Sequence, residues 1–178
     1  MRPALPLIAA VAALLVSCGP HDPLYETDAT TLRREWGVAL PVAAQSGLRE
    51  PCSRPGPRGL TGHWMPTRAE IDRLERRLGP RLKTALASAI LEGDEPRPAA
   101  SDYYRQYGGF YRDLRRVVYV NGLHQRIVHM PQAPSWTERP LGTCDGGLLG
   151  FGVVYDIEAD EFDGVEFDGR YSGPVKRK

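Results

Sequence analysis

Rings interleaved with guanidinium groups are the densest chemistry in this sequence. Tyr103, Tyr104, Arg105, Tyr107, Tyr111, Arg112, Arg115, Arg116 and Tyr119 fall in one short stretch. Such a surface can stack on flat ligands and clamp phosphate or carboxylate groups. Arg105, Tyr107, Arg115 and Arg116 are the four expected to form a binding surface. The competing role for the same residues is an aromatic hairpin whose cross-strand pairs stabilise a sheet.

Cys144-Asp145-Gly146-Gly147 has the look of a reactive loop. A nucleophilic cysteine needs a lowered pKa and a base within reach, and His124 or His129 would have to supply the base. The bland reading is a structural cysteine followed by Asp145-Gly146 as turn chemistry. The acidic run Asp156, Glu158, Asp160, Glu161, Asp163 has the density of a calcium loop. It lacks the glycine and the closing glutamate at the spacing such a loop needs, so it reads as a solvated hairpin turn. His63, His124 and His129 have no helical i, i+4 spacing. On one strand His124 and His129 would face opposite sides. No metal or cofactor is expected, and the sequence shows no Gly-rich phosphate loop or serine elbow.

The N-terminus carries an address. Met1 and Arg2 precede an apolar run from Ala4 to Val16, closed by Leu15-Val16-Ser17-Cys18. Charge, hydrophobe, small residue and cysteine in that order make a secretory signal peptide, and the run is short for a membrane span of about 20 residues. The version ending in cysteine resembles the lipobox of bacterial lipoproteins. The resemblance implies removal of residues 1–17, a diacylglycerol on the Cys18 thiol, and acylation of the new amine. It implies a cell-envelope location, lipid-anchored and facing the periplasm. Gly19 lacks the acidic residue that retains enteric relatives at the inner membrane, so the outer membrane is preferred. Cys52 and Cys144 are then the remaining cysteines, and in an oxidising compartment a disulfide between them is expected. Closing so long a loop would destabilise the unfolded chain by roughly 4–5 kcal/mol.

The 23 basic and 22 acidic residues nearly balance. That gives no support for a nucleic-acid partner or a polybasic membrane patch. The expected partners are the membrane, through the lipid anchor, and an envelope protein, peptidoglycan or a lipid headgroup.

The elements that must position these residues are legible in part. About 160 residues remain after the signal, enough for one domain with a core. Residues 18–62 are rich in Pro, Gly, Ala and Arg and read as a lipidated, largely irregular tether. Thr67 with Glu70 forms a capping box. Ile71, Leu74, Leu78, Leu82, Leu86 and Ile90 follow at helical spacing, with Gly93 as the stop. The apolar phase survives Gly79-Pro80, predicting one helix over 67–92 bent at Pro80; two helices joined at Gly79 is the alternative. Residues 103–111 fit either strand or irregular chain. Residues 116–121 read as a strand turning at Asn121-Gly122, with 125–130 pairing back. Residues 149–156 alternate as a strand, and Phe162–Phe167 is its expected antiparallel partner.

The body resembles a group of uncharacterised small lipoproteins from Gram-negative bacteria. The resemblance rests on Trp64-Met65-Pro66-Thr67, Tyr104-Arg105-Gln106-Tyr107, Tyr119-Val120-Asn121-Gly122 and Cys144-Asp145-Gly146-Gly147, over roughly residues 60–170, and brings no catalytic residue. The expected fold is α+β: a long bent helix packed on a four- or five-stranded antiparallel sheet, with a cystatin-like architecture as an analogy. Residues 63–173 form the domain and 174–178 a tail. The expected function is a non-enzymatic, lipid-anchored binding or scaffold module. The alternatives are an envelope hydrolase using Asp145 with a histidine, His124 being one candidate, and an inhibitor of exported hydrolases.

Overall fold

A computed structural model describes residues 36–89, 96–131 and 135–169. Residues 1–35, with the signal and Cys18, lie outside the described residues, as do Ile90, Gly93 and the tail.

The domain is α+β with a mixed sheet. Strands β1 (Gly37–Ala39), β2 (Thr61–Trp64), β3 (Tyr103–Arg112), β4 (Arg115–His124), β5 (Gly150–Asp156), β6 (Glu161–Phe162) and β7 (Glu166–Phe167) form one sheet. Its order is β1-β3-β4-β5-β6, with β2 also on β3 and β7 also on β5. Helices α1 (Val42–Gln45) and α3 (Gln125–Val128) are single turns, and α2 (Arg68–Ser88) is the long element.

The capping box starts α2: Thr67 accepts from the Glu70 N–H, and Glu70 Oε2 accepts from the Thr67 N–H at 2.8 Å. The helix runs as one element through Pro80, which lies on the exposed side. Ile71, Leu74, Leu78, Leu82 and Leu86 are buried against the sheet. Burying each contributes about 2 kcal/mol.

An all-antiparallel sheet was the sequence expectation; β1 instead runs parallel to β3, with Val38 opposite Gln106. The chain passes through α1, β2 and α2 between the two strands, a connection long enough for a parallel return. The expected tether is also ordered from Trp36 onward: Val38, Leu40, Leu48 and Leu60 are buried on the sheet's second face, with Phe110, Val117, Tyr119 and Val154. The sheet is therefore covered on both sides, by α2 and by irregular chain.

Residues 103–111 belong to a strand, and the hairpin turns at Asp113-Leu114 rather than Asn121-Gly122. Arg112 pairs with Arg115 across a two-residue loop. Asp113 and Leu114 adopt φ of 51° and 66°, the handedness such a turn requires, and Leu114 is 98% exposed. Asn121 and Gly122 sit inside β4. A Cβ on Gly122 would come within 1.9 Å of the Phe151 ring, so glycine serves packing here, not turning. Residues 125–128, expected as a return strand, form α3. The alternation holds over Gly150–Asp156: Phe151, Val153 and Tyr155 join the helix-side core, and Val154 the other, whereas Leu149, expected on the same face, precedes the strand and packs with Leu123, Ile127 and Leu141. Both β6 and β7 pair antiparallel with β5, as expected for Phe162–Phe167.

Candidate functional site

The four residues expected to share a binding surface are not on one surface. Register along β3 puts Tyr103, Arg105 and Tyr107 on the face that α2 covers. Arg105 and Tyr107 are 0% exposed. Arg105 Nε stands 3.5 Å from Glu75 Oε1, and the Tyr107 hydroxyl donates to the same carboxylate. Burial drives the Tyr107 hydroxyl pKa well above its usual value, and the Glu75 charge adds to the rise. These two residues tie the helix to the sheet and present nothing to a ligand. Arg115 and Arg116 keep about half of their side chains in water. Arg115 pairs with Asp156 at 2.9 Å. Arg116 pairs with Glu70 at 2.9 Å and Glu158 at 3.4 Å, and lies 5.0 Å over the Trp64 ring. Tyr104 stacks on Trp36 at 4.2 Å and meets Trp136 edge-on at 4.9 Å. The structural role of the segment dominates.

The acidic run is likewise spent on arginines. Asp160 receives Arg73 and Arg77, and Asp163 receives Arg112 at 2.6 and 3.3 Å. Among the described residues no group of three or more His, Cys, Asp and Glu is placed to hold a metal ion, and no helix is long and apolar enough to cross a membrane.

Asp145 and His124 stand in different surroundings. Asp145 is exposed on a loop at φ 67°. His124 is buried, its Nδ1 accepts from the Arg126 N–H at 3.2 Å, and it thereby caps α3. Burial lowers its pKa. Neither residue lines the cleft at Leu48 and Leu141, the groove at Arg77 and Phe162, or the cleft at Tyr119 and Glu166.

Cys52 and Cys144 do meet. They form a disulfide with Cα atoms 5.0 Å apart across a separation of 92 residues, and both are exposed. Two residues on, Arg54 is buried. Its Nη1 bonds Asp168, its Nη2 bonds Asn121 Oδ1, and its Nε donates to the Tyr119 hydroxyl at 3.2 Å. Thr143 closes the cluster onto Asp168 at 3.0 Å. The disulfide and this guanidinium lock residues 51–58 down as a strap across the sheet.

Comparison of the chain with protein-family models, curated proteins and solved structures finds no match. The site therefore has to be read from its own geometry.

Beside the strap a cleft of about 320 Å³ opens. The strap contributes Pro55, Pro57 and Arg58 to its lining, and Val154, Gly164 and Glu166 line it as well. Sequence reasoning missed it, because Pro and Gly composition signals an absence of regular structure, not what the chain lies against. The available signal was Cys52: a cysteine tied to Cys144 forces its neighbours onto the domain.

Proposed function

We propose that this chain is a lipid-anchored protein of the bacterial envelope, facing the periplasm, whose domain binds or scaffolds rather than catalyses. Cys18 receives the acyl chains after residues 1–17 are removed, and the outer membrane is preferred over the inner. Two or more chains suffice for stable anchoring where one does not. The single observation that supports the reading best is the Cys52–Cys144 pair. Exposed disulfides joining distant loops persist in oxidising compartments, and an exported chain needs the kind of signal that ends at Cys18. The helix, bent at Pro80, and the latched strap give a rigid body in which arginines and tyrosines serve the frame. A cystatin-like plan stays an analogy of architecture. The soluble-side partner belongs to the envelope: a protein, peptidoglycan or a headgroup, with no nucleic acid.

Fatty-acid labelling in a Gram-negative host tests the anchor. The full chain should take up label and Cys18→Ser should not, and non-reducing peptide mapping should link Cys52 to Cys144. Normal labelling of the variant, or free thiols on both cysteines, would overturn the reading.

A further inference from the structure

The geometry points to the cleft beside the strap as a site for a short peptide with free termini, its carboxylate on Arg58 and its ammonium on Glu166. The inference rests on the reading of the domain as an envelope binder and names its ligand class. Arg58 and Glu166 are both exposed. Among the described residues no hydrogen bond or ion pair is made by either side chain. The other two ions at the cleft, Arg112 and Asp163, satisfy each other through two bonds of 2.6 and 3.3 Å. What remains is one uncompensated positive and one uncompensated negative side chain, carried by the strap and by β7. A ligand with a single charge would answer one of them and repel the other. A zwitterion answers both.

Size and lining agree with that class. About 320 Å³ is at the small end of ligand sites and accommodates about two or three small residues. Pro55, Pro57 and Val154 add apolar surface to the lining. The strap is held in advance by the disulfide and by buried Arg54, so little ordering entropy opposes binding.

Calorimetry on the full-length chain in mild detergent, with tri-alanine as the probe, tests the inference. Tri-alanine should bind. N-acetylation or C-amidation should each weaken binding by about tenfold, the effect of losing one charge-assisted bond. Arg58→Gln should erase the sensitivity to amidation and Glu166→Gln the sensitivity to acetylation. Both side chains are exposed, so both variants fold. Gly164→Leu gives an independent check. Gly164 lines the cleft and a Cβ there meets only the Glu166 side chain, at 3.8 Å, so leucine is tolerated by the frame and is expected to block binding. Absence of tri-alanine binding at millimolar concentration, equal affinity for the capped peptides, or full binding by Gly164→Leu would overturn the inference. Acyl labelling of Cys18 is read separately. A labelled chain that ignores tri-alanine defeats the ligand class alone, and an unlabelled chain that binds it defeats the anchor alone.

Discussion

The two faces of the sheet are buried by opposite means. On one side α2 pairs its own backbone groups and brings the sheet little but side chains: Ile71, Leu74, Leu78, Leu82 and Leu86. Buried Glu75, paired with Arg105 and accepting from the Tyr107 hydroxyl, ties the helix to β3. On the other side the cover is irregular chain, whose carbonyls have no ladder to join. The sheet itself supplies the donors. Gln106 Nε2 reaches the carbonyls of Trp136 and Arg139 at 2.6 and 2.7 Å. Asn121 Nδ2 reaches Leu141 O at 2.8 Å, and Gln106 Oε1 accepts from the Leu141 N–H at 3.0 Å. Backbone polar groups must be paired wherever they are buried. Amides on β3 and β4, with the Arg54 guanidinium reaching Asn121 from the strap, therefore mark the side on which the chain has no regular structure.

Removing the guanidinium should have the largest effect. Arg54→Met strands the buried Asp168 carboxylate and the Asn121 carbonyl, at a cost of about 3–5 kcal/mol. Urea unfolding without reductant reads it. Adding Asp168→Leu should recover part of the loss, because no charge is then left buried alone. A cost under about 1 kcal/mol would mean that the strap is held by the disulfide and not by the ion cluster.

The helix side should respond differently to the same treatment. Leu78 is 0% exposed, and Leu78→Ala leaves a cavity costing about 3 kcal/mol. Reduction of Cys52–Cys144 loosens the strap and should shrink the Arg54→Met penalty. Leu78 lies across the sheet from it, and distant sites act additively, so its penalty should stay the same in both redox states. A Leu78 penalty that falls on reduction would show the two faces to be one cooperative unit.

The same asymmetry decides what the sequence disclosed. A helix announces itself by period, and α2 was readable from its capping box to Leu86. Strand β5 was readable for the same reason, since its neighbours alternate between two apolar layers. The strap face was not. Asn121-Gly122 looks like a turn because each residue type is common in turns, yet the amide here is a donor to irregular chain and the missing side chain makes room for Phe151. Asp113-Leu114, the actual turn, lacks the glycine that would have flagged it. Arg105 and Tyr107 were misplaced by counting composition before period. Tyr103, Arg105 and Tyr107 alternate with Tyr104 and Gln106, and that alternation assigns them to a buried face once the strand is recognised. The cleft at Arg58 and Glu166 joins residues brought together by the disulfide, the Arg54–Asp168 contact and the β5–β7 pairing, which no local pattern encodes.

The helix side does carry further ions, but at its rim and in water, and there the smallest effect is expected. Tyr155 donates to Asp160, which Arg73 and Arg77 also contact. The tyrosine hydrogen bond, then the two arginines, hold the Asp160 carboxyl below its usual value. Burial, then Asp160, pushes the Tyr155 hydroxyl up to about 12. A lowered carboxyl pKa favours the fold above about pH 4, and that support is lost as pH falls through the lowered value. A raised phenol pKa favours the fold below about pH 10, and that support is lost as pH rises from 10 towards 12. Tyr155→Phe should therefore be slightly less stable than the parent near neutrality. The gap should narrow as pH falls through the lowered Asp160 value, where the carboxylate charge is lost in both proteins, and added salt should narrow it at neutral pH. Phenolate absorbance should show the parent's extra tyrosine ionising near pH 12. An extra tyrosine that ionises near pH 10, or a stability gap that does not narrow as the pH falls, would place Tyr155 outside the rim network and leave that edge of α2 to Arg73, Arg77 and the Glu70–Arg116 pair.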